Sequence, residues 1–562
     1  MSSDKRGIVC EMNVYKYDTL REFILGNSRI YSDKVAFQFY DNSKELTNIT
    51  YHQLTKDIEG LGTWLIRKGY KGQKIAIISE NSYDWIRLFF AVAFSGNICV
   101  PLAKESGTEI IAENIKNADC SAIFYSKTSK KLIDSILEYE KTLSLDMYPM
   151  AEIDSYVLEG QGALADGDDS FALMKLTSDD LAAIYFTSGT TGSPKGVMLT
   201  QGNFAYDLQS ATERLPDATS RHKLFVILPL THVLSLCGMC FIFPNGRTAF
   251  ICKGLKHFFA DLEKIKPDII VVVPLFLETV YKTVMSELED SKYLFAYRML
   301  CVFSNLLLKI GIDLRPVFFK KILEKLGGNM NTIISGGAPI SQEILDEFRS
   351  WGLNVFVGYG ITECAPIISV CDYKDSVPNS VGRPLDGVEV IIHNPDQKGI
   401  GEVCVKGPIV MKGYYNRPDE TVAVFCDGMF HTGDLGYLDN NGFLYLTGRS
   451  KNLIILSNGE NISPEMIENK INRIGAVKEV VVYQKGNNIV AEIFPDEKYI
   501  GKNDIKDVHA FLEGCMNDVN KDLPAYARIS EVVIRKTEFV KNATRKIKRD
   551  TIGDVENAGK DN

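Results

Sequence analysis

A short apolar run leads into a loop rich in hydroxyls and glycines in the stretch Tyr185-Phe186-Thr187-Ser188-Gly189-Thr190-Thr191-Gly192-Ser193-Pro194-Lys195-Gly196. The apolar residues 181–186 predict a buried strand that ends where the loop begins. In the loop, glycines would let backbone N–H groups approach an anion closely, and the hydroxyls and Lys195 would add further donors. This donor set suits a polyphosphate, whereas the simpler interpretation is an ordinary Ser/Thr/Gly surface loop.

The spacing of this loop differs from that of the Walker A phosphate loop. That motif requires Gly-x4-Gly-Lys-Ser/Thr, whereas here Lys195 is followed by Gly196. A different arrangement must therefore handle the phosphates, and its other components must lie elsewhere in the chain.

Length and composition indicate a soluble protein of more than one domain. The chain has 562 residues, of which 45% are hydrophobic and 24% charged, and domains average roughly 100–200 residues. The net charge of −9 is mixed along the chain, which argues against a nucleic-acid partner. No signal peptide and no run of about 18 apolar residues is visible. The twelve scattered cysteines fit a cytoplasmic protein, and the pair Cys237 and Cys240 is predicted to be buried rather than metal-binding.

Strand-like and helix-like segments alternate in the first part of the chain, which predicts a layered α/β domain with parallel strands. The predicted strands are residues 47–51, 74–79, 98–101 and 122–125, and the predicted helices are residues 53–68, 82–94 and 110–118. Residues 159–170 are rich in Gly and Asp and are predicted to form a linker that leads to the hydroxyl-rich loop.

Further along, a predicted strand at residues 224–230 ends just before His232, where ligands gather in open α/β sheets. A lone histidine is more often structural, so this signal is weak by itself. A buried strand at residues 269–273 precedes a helical region, 278–327, with a break near residues 311–316. Within it, residues 303–326 are basic and amphipathic. We interpret them first as core helices with a solvated face, and a membrane-surface contact is the alternative.

Two predicted strand ends are followed by small residues. Residues 332–334 run into Ser335-Gly336-Gly337-Ala338-Pro339, and residues 355–357 run into Gly358-Tyr359-Gly360-Ile361-Thr362-Glu363. The small residues leave room for a flat ring beside Tyr359. Glu363 offers a carboxylate suited to Mg²⁺, although a carboxylate at the start of a helix is an equally good interpretation.

The last third of the chain changes character twice. Residues 381–445 read as short strands with turns, which predicts an all-β subdomain that closes on His431-Thr432-Gly433-Asp434 and Gly448-Arg449-Ser450-Lys451. Beyond Lys451 a small α+β domain is predicted. Its elements are residues 465–473, 480–483, 489–494, 504–520 and 529–534.

Together these motifs resemble the adenylate-forming superfamily, which includes acyl-CoA synthetases, peptide-synthetase adenylation domains and luciferases. The matching pieces are residues 186–196, 229–232, 335–339, 359–363, 431–434, 448–451 and Lys546. The resemblance implies two steps that use ATP, Mg²⁺ and coenzyme A. A carboxylate attacks the α-phosphate to give an acyl-adenylate and pyrophosphate, and a thiol then takes the acyl group and releases AMP.

The resemblance also implies a role for each matching residue. The loop would hold the β- and γ-phosphates through Thr187, Ser188, Gly189, Thr190, Thr191, Gly192 and Lys195. The nucleotide's remaining contacts would come from Gly336, Gly337, Ala338, Gly358, Tyr359, Gly360, Thr362, Asp434 and Arg449, with Asp434 on the ribose and Tyr359 beside the adenine. Glu363 with Thr187 would place Mg²⁺, and Lys546 would bridge the carboxylate and the α-phosphate.

In the same way, His232 would guard the acyl tunnel, and Lys451 would be the hinge between a domain 1–450 and a mobile domain 451–562. Rotation there would bring the face near Gly459 to the thiol tunnel. The sequence departs from the family pattern at Arg545, where glycine is usual before the catalytic lysine. Lys541 and Lys548 are therefore competing candidates for that role.

The branch of the family is predicted from the absence of carboxylates near His232 and from the sequences of two longer segments. No Asp or Glu lies between residues 225 and 243, so a substrate ammonium would be buried unpaired. Residues 451–462 and the helical region 278–327 resemble long-chain fatty acyl-CoA synthetases. We therefore expect a fatty acid–CoA ligase that is monomeric or homodimeric. The alternatives are a carrier-protein ligase, a CoA ligase for another apolar acid, and a non-catalytic lipid-binding protein.

Overall fold

The computed structural model describes residues 17–41, 43–187, 194–215, 222–254, 256–290, 293–456, 461–486, 488–541, 547, 549 and 552. Parts of the phosphate-loop prediction, Ser188 to Gly192, lie outside these residues, as do Gly459 and Lys546. The described chain has a mixed α/β architecture with a large N-terminal part and a small C-terminal α+β part. This confirms the predicted fold class.

A seven-stranded sheet carries the strand that precedes the hydroxyl-rich loop. In spatial order its strands are Gly413–Tyr414, Lys195–Thr200, Leu181–Thr187, Ile98–Pro101, Lys74–Ile78, Cys120–Tyr125 and Asp146–Pro149. The five strands from Leu181–Thr187 onward pair in parallel, as predicted for residues 74–79, 98–101 and 122–125. The strand predicted at residues 47–51 is Leu46–Thr50, and it pairs antiparallel in the other large sheet. Strand Lys195–Thr200, which follows the loop in the sequence, pairs antiparallel with Leu181–Thr187.

The helices of this part cover the seven-stranded sheet, and one of them corrects a prediction. They span Tyr51–Arg67, Tyr83–Phe94, Thr108–Asn117, Lys130–Tyr139, Ile153–Ala165 and Ser170–Leu173. The predicted linker at residues 159–170 is wrong, because its first half belongs to helix Ile153–Ala165. A Cβ at Gly160 would lie 1.8 Å from the carbonyl oxygen of Gly60. The glycine therefore permits close packing of two helices rather than a flexible connection.

A nine-stranded sheet carries the small-residue strand ends. In spatial order its strands are Arg383–Pro384, Ile367–Cys371, Asn354–Gly360, Thr332–Gly336, Ile269–Val272, Lys223–Val226, Thr248–Ile251, Val35–Tyr40 and Leu46–Thr50. The central strands are parallel, and the pairs at both edges are antiparallel. The strand predicted at residues 224–230 ends at Val226. Beyond it the Asn81 side chain donates to the Leu228 carbonyl and accepts from the Leu230 N–H.

Nine described helices accompany this sheet and the regions around it. They span Leu20–Ile30, Gln201–Arg214, Val233–Cys240, Phe258–Ile265, Pro274–Asp290, Leu294–Lys309, Arg315–Phe318, Lys320–Lys325 and Gln342–Ser350. The predicted break near residues 311–316 is confirmed, and Cys237 and Cys240 are buried in one helix with free thiols, as expected. No helix in the described part of the chain is long and apolar enough to cross a membrane.

The predicted change of character in the last third is confirmed, but residues 381–445 are not all β, because helix Pro418–Val424 lies among the strands. An antiparallel five-stranded sheet consists of Glu389–His393, Gly401–Lys406, Met429–Leu438, Phe425–Cys426 and Leu444–Arg449, and helix Pro418–Val424 lies beside it. The small C-terminal part has strands Ile454–Ile455, Asn461–Ile462, Val477–Lys485, Asn488–Pro495 and Ile529–Ile534 and helices Pro464–Ile471, Glu497–Lys502 and Val508–Lys521. The Lys282 ammonium donates to the Val477 carbonyl at 3.2 Å and so ties this part to helix Pro274–Asp290.

Candidate active site

Asp434 lies at a junction between the five-stranded and the nine-stranded sheets. Its carboxylate accepts the Tyr359 hydroxyl at 2.7 Å and the Arg449 Nε–H at 2.8 Å. Arg449 is its direct neighbour across the strand pair, and Tyr359 comes from the other sheet. Burial and the nearby carboxylate raise the pKa of Tyr359 well above its usual value. The phenol therefore stays protonated and acts as the hydrogen-bond donor to Asp434. The sequence motifs that carry these three residues therefore meet at one point.

Strand Met429–Leu438 turns locally at Gly433, whose φ is +72°, and this turn, which presents Asp434, is held by a residue that no sequence motif indicated. Glu402 Oε1 accepts the Gly433 N–H at 3.0 Å, and Glu402 Oε2 lies 2.8 Å from His431 Nδ1. Thr432 adds a second restraint, since its hydroxyl donates to the Val403 carbonyl and accepts the Asp434 N–H. Glu402 precedes this turn by about thirty residues, and no local pattern in the sequence links the two.

Glu363 lies on the short 3₁₀ turn Thr362–Cys364, directly after strand Asn354–Gly360. The Tyr414 hydroxyl donates to Glu363 Oε1 at 3.0 Å, and the Met411 N–H donates to the Glu363 carbonyl at 2.8 Å. Burial raises the pKa of the Glu363 carboxyl, while the hydrogen bond from Tyr414 and the positive charge of Arg449 oppose the shift. A carboxylate in such surroundings would gain from a bound cation, and together with the Thr187 hydroxyl it offers the oxygen ligands that Mg²⁺ prefers.

Lys195 and Glu363 both contact Tyr414, Lys195 at the ring and Glu363 at the hydroxyl. The Lys195 ammonium lies 4.9 Å from the centroid of the Tyr414 ring and 2.5 Å from Glu420 Oε2. Lys195 is also the direct cross-strand neighbour of Thr187. Tyr414 therefore connects the base of the predicted phosphate loop to the predicted metal ligand. Neither Tyr414 nor Glu420 was singled out in the sequence, because their partners lie far away along the chain.

The two glycine-rich strand ends lie side by side. Gly336 and Gly358 are register partners on adjacent parallel strands, and a Cβ at Gly336 would lie 3.1 Å from the Gly358 carbonyl oxygen. Gly337 has a φ of +86°, which few other residues adopt easily. Gly337 and Ala338 are exposed, so the chain offers an open floor there for a flat ring. Gly360 ends the second of these strands, and Thr362 begins the short turn that carries Glu363.

His232 lies directly before helix Val233–Cys240 and is half-buried. Its N–H donates to the Pro229 carbonyl at 3.0 Å, and its carbonyl accepts the Ser235 N–H at 2.9 Å. The helix behind it is apolar and buried, which fits a site next to an apolar acyl group. The structure fixes the backbone of His232 well, and its guarding role stays a prediction.

The connection to the small domain is exposed at Lys451, in the 3₁₀ turn Ser450–Asn452. Just before it, Gly448 has a φ of +153°, and a Cβ there would lie 2.3 Å from Ser463 Oγ. After the turn, the Asn452 amide donates to Glu465 Oε1 at 2.5 Å. The residues on both sides of the turn therefore lie close to Ser463 and Glu465 of the small domain. The role of Lys451 as the hinge stays a prediction.

The residues around the predicted catalytic lysine lie on the small domain. Ile547 packs with Val481 and Phe539, and Arg549 contacts Glu468 at 2.6 Å. The competing candidate Lys541 is engaged there, since its ammonium pairs with Glu479 and with Glu538. These ion pairs give Lys541 a structural role within its own domain. Lys546 and Lys548 lie outside the described residues.

Comparison with protein families gives two matches. A model described as AMP-binding enzyme matches residues 27–415, and one described as AMP-binding enzyme C-terminal domain matches residues 451–553. Among curated proteins, the chain is 28% identical over 490 residues to long-chain-fatty-acid–CoA ligase FadD15 of Mycobacterium bovis, covering 84% of this chain and 80% of that protein. It is 30% identical to long-chain-fatty-acid–CoA ligase 5 of Rattus norvegicus, covering 84% and 75%.

A relative with a different acceptor is also similar. The chain is 28% identical to the long-chain-fatty-acid–[acyl-carrier-protein] ligase AEE15 of Arabidopsis thaliana, covering 83% of this chain and 75% of that protein. Among solved structures, o-succinylbenzoate CoA synthetase from Bacillus subtilis, in complex with its acyl-adenylate intermediate, matches with a TM-score of 0.72 at 23% identity and covers 95% of this chain and 98% of that one. This structural likeness supports the fold alone.

Proposed function

This chain belongs to the AMP-binding, or adenylate-forming, enzyme family, and on that premise we propose that it joins a fatty acid to coenzyme A with ATP as the energy source. The observation that carries the proposal is the cluster of Tyr359, Asp434 and Arg449 with Glu363 nearby. It offers a buried acceptor for ribose hydroxyls and a metal-binding carboxylate within one small region.

In the proposed first step, a carboxylate oxygen attacks the α-phosphorus of ATP and the bond to pyrophosphate breaks. Asp434 accepts from the ribose, and Tyr359 and Arg449 hold the Asp434 carboxylate in place for that contact. The open floor at Gly337 and Ala338 leaves room for the base. Positioning and charge stabilisation supply most of the rate in such phosphoryl chemistry.

Mg²⁺ would supply positive charge on the phosphates, and the ligands that the chain offers for it are Glu363 and Thr187. Lys195 begins the strand that follows the loop, and here its ammonium pairs with Glu420. We infer that Lys195 exchanges this partner for a phosphate oxygen when ATP binds. Tyr414 would keep the Glu363 carboxylate oriented during this exchange.

In the proposed second step, the thiol of coenzyme A attacks the acyl carbonyl carbon and AMP leaves with the bridging oxygen. We infer that the small domain rotates at Lys451 between the two steps, which removes Lys546 and brings the region of Gly459 to the thiol. The exposed position of Lys451 in its short turn supports this inference.

A fatty acid is favoured over an amino acid because the segment that carries His232 offers no carboxylate to pair with a substrate ammonium. No Asp or Glu lies between residues 225 and 243, and helix Val233–Cys240 is apolar and buried throughout its middle. The curated relatives that activate long-chain fatty acids point the same way.

The test is pyrophosphate release measured across straight-chain acids of increasing length, with and without coenzyme A. Each buried methylene contributes roughly 0.8 kcal/mol, so kcat/KM is expected to rise about fourfold per added CH₂ until the tunnel is full. No turnover with any straight-chain acid would overturn the fatty-acid assignment. Acyl transfer to phosphopantetheinyl carrier protein but not to free coenzyme A would establish the alternative that the AEE15 relative raises.

Removing Glu402 is expected to weaken ATP binding without stopping the chemistry. Glu402→Ala deletes the acceptor of the Gly433 N–H and the partner of His431, so the turn that presents Asp434 loses its support. We expect KM for ATP to rise roughly tenfold, the size typical of residues that orient a binding group. Steady-state kinetics check this, with Glu389→Ala on the same sheet as the exposed control. An unchanged KM for ATP would contradict this role.

A further inference from the structure

Helix Leu294–Lys309 exposes a continuous row of large apolar side chains. Phe295, Met299, Val302, Phe303, Leu306 and Ile310, at the end of the helix, are between 53% and 78% exposed, and we call these six residues the apolar stripe. Their spacing of three and four residues places them along one face. Isolated exposed hydrophobics are normal on a protein surface, but a contiguous row of this length indicates an interaction site.

The opposite face of the helix is anchored, so the apolar stripe is fixed outward. Tyr297 and Ser304 are buried on that face. The Tyr297 hydroxyl donates to Glu347 and accepts from the Trp351 indole N–H at 2.6 Å. Rolling the helix to bury the stripe would break this buried network, so the stripe is a stable feature of the described structure.

The apolar surface continues beyond the helix. The ring of Phe303 lies 6.2 Å from that of Phe318 in the next helix, and Val317 in that same helix is 68% exposed. Ile312, in the connection between the two helices, is also exposed. The apolar stripe therefore widens at its C-terminal end into a larger patch that two helices share.

The charge around the stripe is opposite in sign to that of the whole chain. Residues 293–326 contain six basic and two acidic residues, in a protein whose net charge is −9. Arg298 and Lys309 flank the stripe on its own helix and are exposed. Three of the six basic residues are engaged in ion pairs, Arg315 with Asp313 at 2.7 Å, Lys320 with Glu324 at 3.8 Å and Lys325 with Glu287, so the net positive charge of this region rests on Arg298, Lys309 and Lys321.

These observations point to one occupant. We propose that the apolar stripe docks this protein onto an anionic lipid bilayer, with the stripe at the boundary between headgroups and acyl chains. Arg298 and Lys309 would then lie at the level of the headgroup phosphates. Apolar burial combined with attraction to anionic headgroups is the usual basis of interfacial helix binding. A second copy of the chain fits less well, because a symmetric contact would bring two basic surfaces together.

The sequence predicted a membrane contact, as an alternative, in the basic stretch 303–326. In the structure the exposed apolar face begins eight residues earlier, at Phe295, and only its C-terminal end overlaps that stretch. The basic residues beyond Lys309 belong to the two short helices that follow and not to the helix that carries the stripe. The mixture of apolar and basic residues in the sequence therefore predicted the approximate region of the contact but not which helix face is exposed.

The test is sedimentation of the full chain with vesicles, in the absence of ATP, acid and coenzyme A, so that its outcome does not depend on the proposed function. We expect binding to an equal mixture of phosphatidylglycerol and phosphatidylcholine and much weaker binding to phosphatidylcholine alone. Met299→Gln/Leu306→Gln should weaken the apparent affinity roughly tenfold or more. The matched control Leu158→Gln/Leu173→Gln changes two leucines that are 66% and 67% exposed elsewhere, and it should bind as the unmodified chain does.

A charge variant tests the second half of the proposal. Lys309→Gln should weaken binding to the anionic vesicles, whereas the exposed control Lys131→Gln should not. Failure of the unmodified chain to bind anionic vesicles, or equal binding by the stripe variant, would overturn the proposal. So would a stripe variant that loses self-association in sedimentation velocity while keeping vesicle binding, because the stripe would then be a contact between copies.

Discussion

Replacing Glu363 by glutamine is expected to slow acyl-adenylate formation on the order of 10²- to 10³-fold, the loss typical of one well-placed electrostatic group. Glutamine keeps the shape and an oxygen that can accept from the Tyr414 hydroxyl. The substitution removes the negative charge that would bind the divalent cation associated with ATP. The measurement is pyrophosphate release at increasing Mg²⁺ concentration, where the variant should need far more metal.

The pH dependence gives this prediction a second readout. Because burial raises the pKa of Glu363 above its usual value, its proton competes with the cation over a pH range higher than that of an exposed carboxyl. The apparent Mg²⁺ affinity should therefore fall as the pH drops towards that raised pKa. In Glu363→Gln this dependence should be absent.

Asp207 provides a matched control for this variant. It is a buried carboxyl whose pKa burial also raises, and its Oδ1 accepts the Ile367 N–H at 3.0 Å, behind the segment that carries Glu363. Asp207→Asn keeps this acceptor and removes no charge that we assign to the metal. We expect nearly unchanged Mg²⁺ dependence for it. A Glu363→Gln enzyme with unchanged Mg²⁺ dependence would show that another group holds the cation.

Lys546→Ala is expected to lower adenylation about 10³-fold while thioester formation from supplied acyl-adenylate and coenzyme A stays within a few-fold of normal. The reason is that we assign Lys546 to the charge that develops between the carboxylate and the α-phosphate, which exists only in the first step. Single-turnover assays of the two half-reactions separate these effects.

Lys541→Ala is the matched control for this second prediction. Lys541 pairs with Glu479 and Glu538 within the small domain. Its removal should therefore affect the stability of that domain more than the first half-reaction. If Lys541→Ala lost adenylation and Lys546→Ala kept it, the two assignments would have to be exchanged.

The parts of the fold that the sequence predicted well are those with a strong local pattern. Strand Ile98–Pro101 and strand Ile529–Ile534 have the predicted bounds, because both are short and rich in β-branched residues. The linker prediction at residues 159–170 was wrong because glycine can serve either chain flexibility or close packing of helices. Gly160 serves the close approach of helix Ile153–Ala165 to Gly60, and composition alone does not separate this use from flexibility.

The candidate site shows the same division between local and distant information. The motif that carries Glu363 was visible as small residues after an apolar run, and the motifs of Asp434 and Arg449 were identified through the family resemblance. Their supports were not. Tyr414 lies 51 residues from Glu363, and Glu402 lies 31 residues from Gly433. The first pair forms only when the seven-stranded and nine-stranded sheets pack together, and the second only when strands Gly401–Lys406 and Met429–Leu438 pair, so no local spacing in the sequence indicates either contact.

The measurement that tests the central claim most directly is the transfer of labelled oxygen from the carboxylic acid to AMP. A fatty acid carrying oxygen-18 in its carboxylate is incubated with the enzyme, ATP, Mg²⁺ and coenzyme A, and the AMP is analysed by mass spectrometry. Attack of the carboxylate on the α-phosphorus predicts AMP with one labelled oxygen, together with unlabelled pyrophosphate. Unlabelled AMP, or label in inorganic phosphate beside ADP, would contradict an acyl-adenylate intermediate.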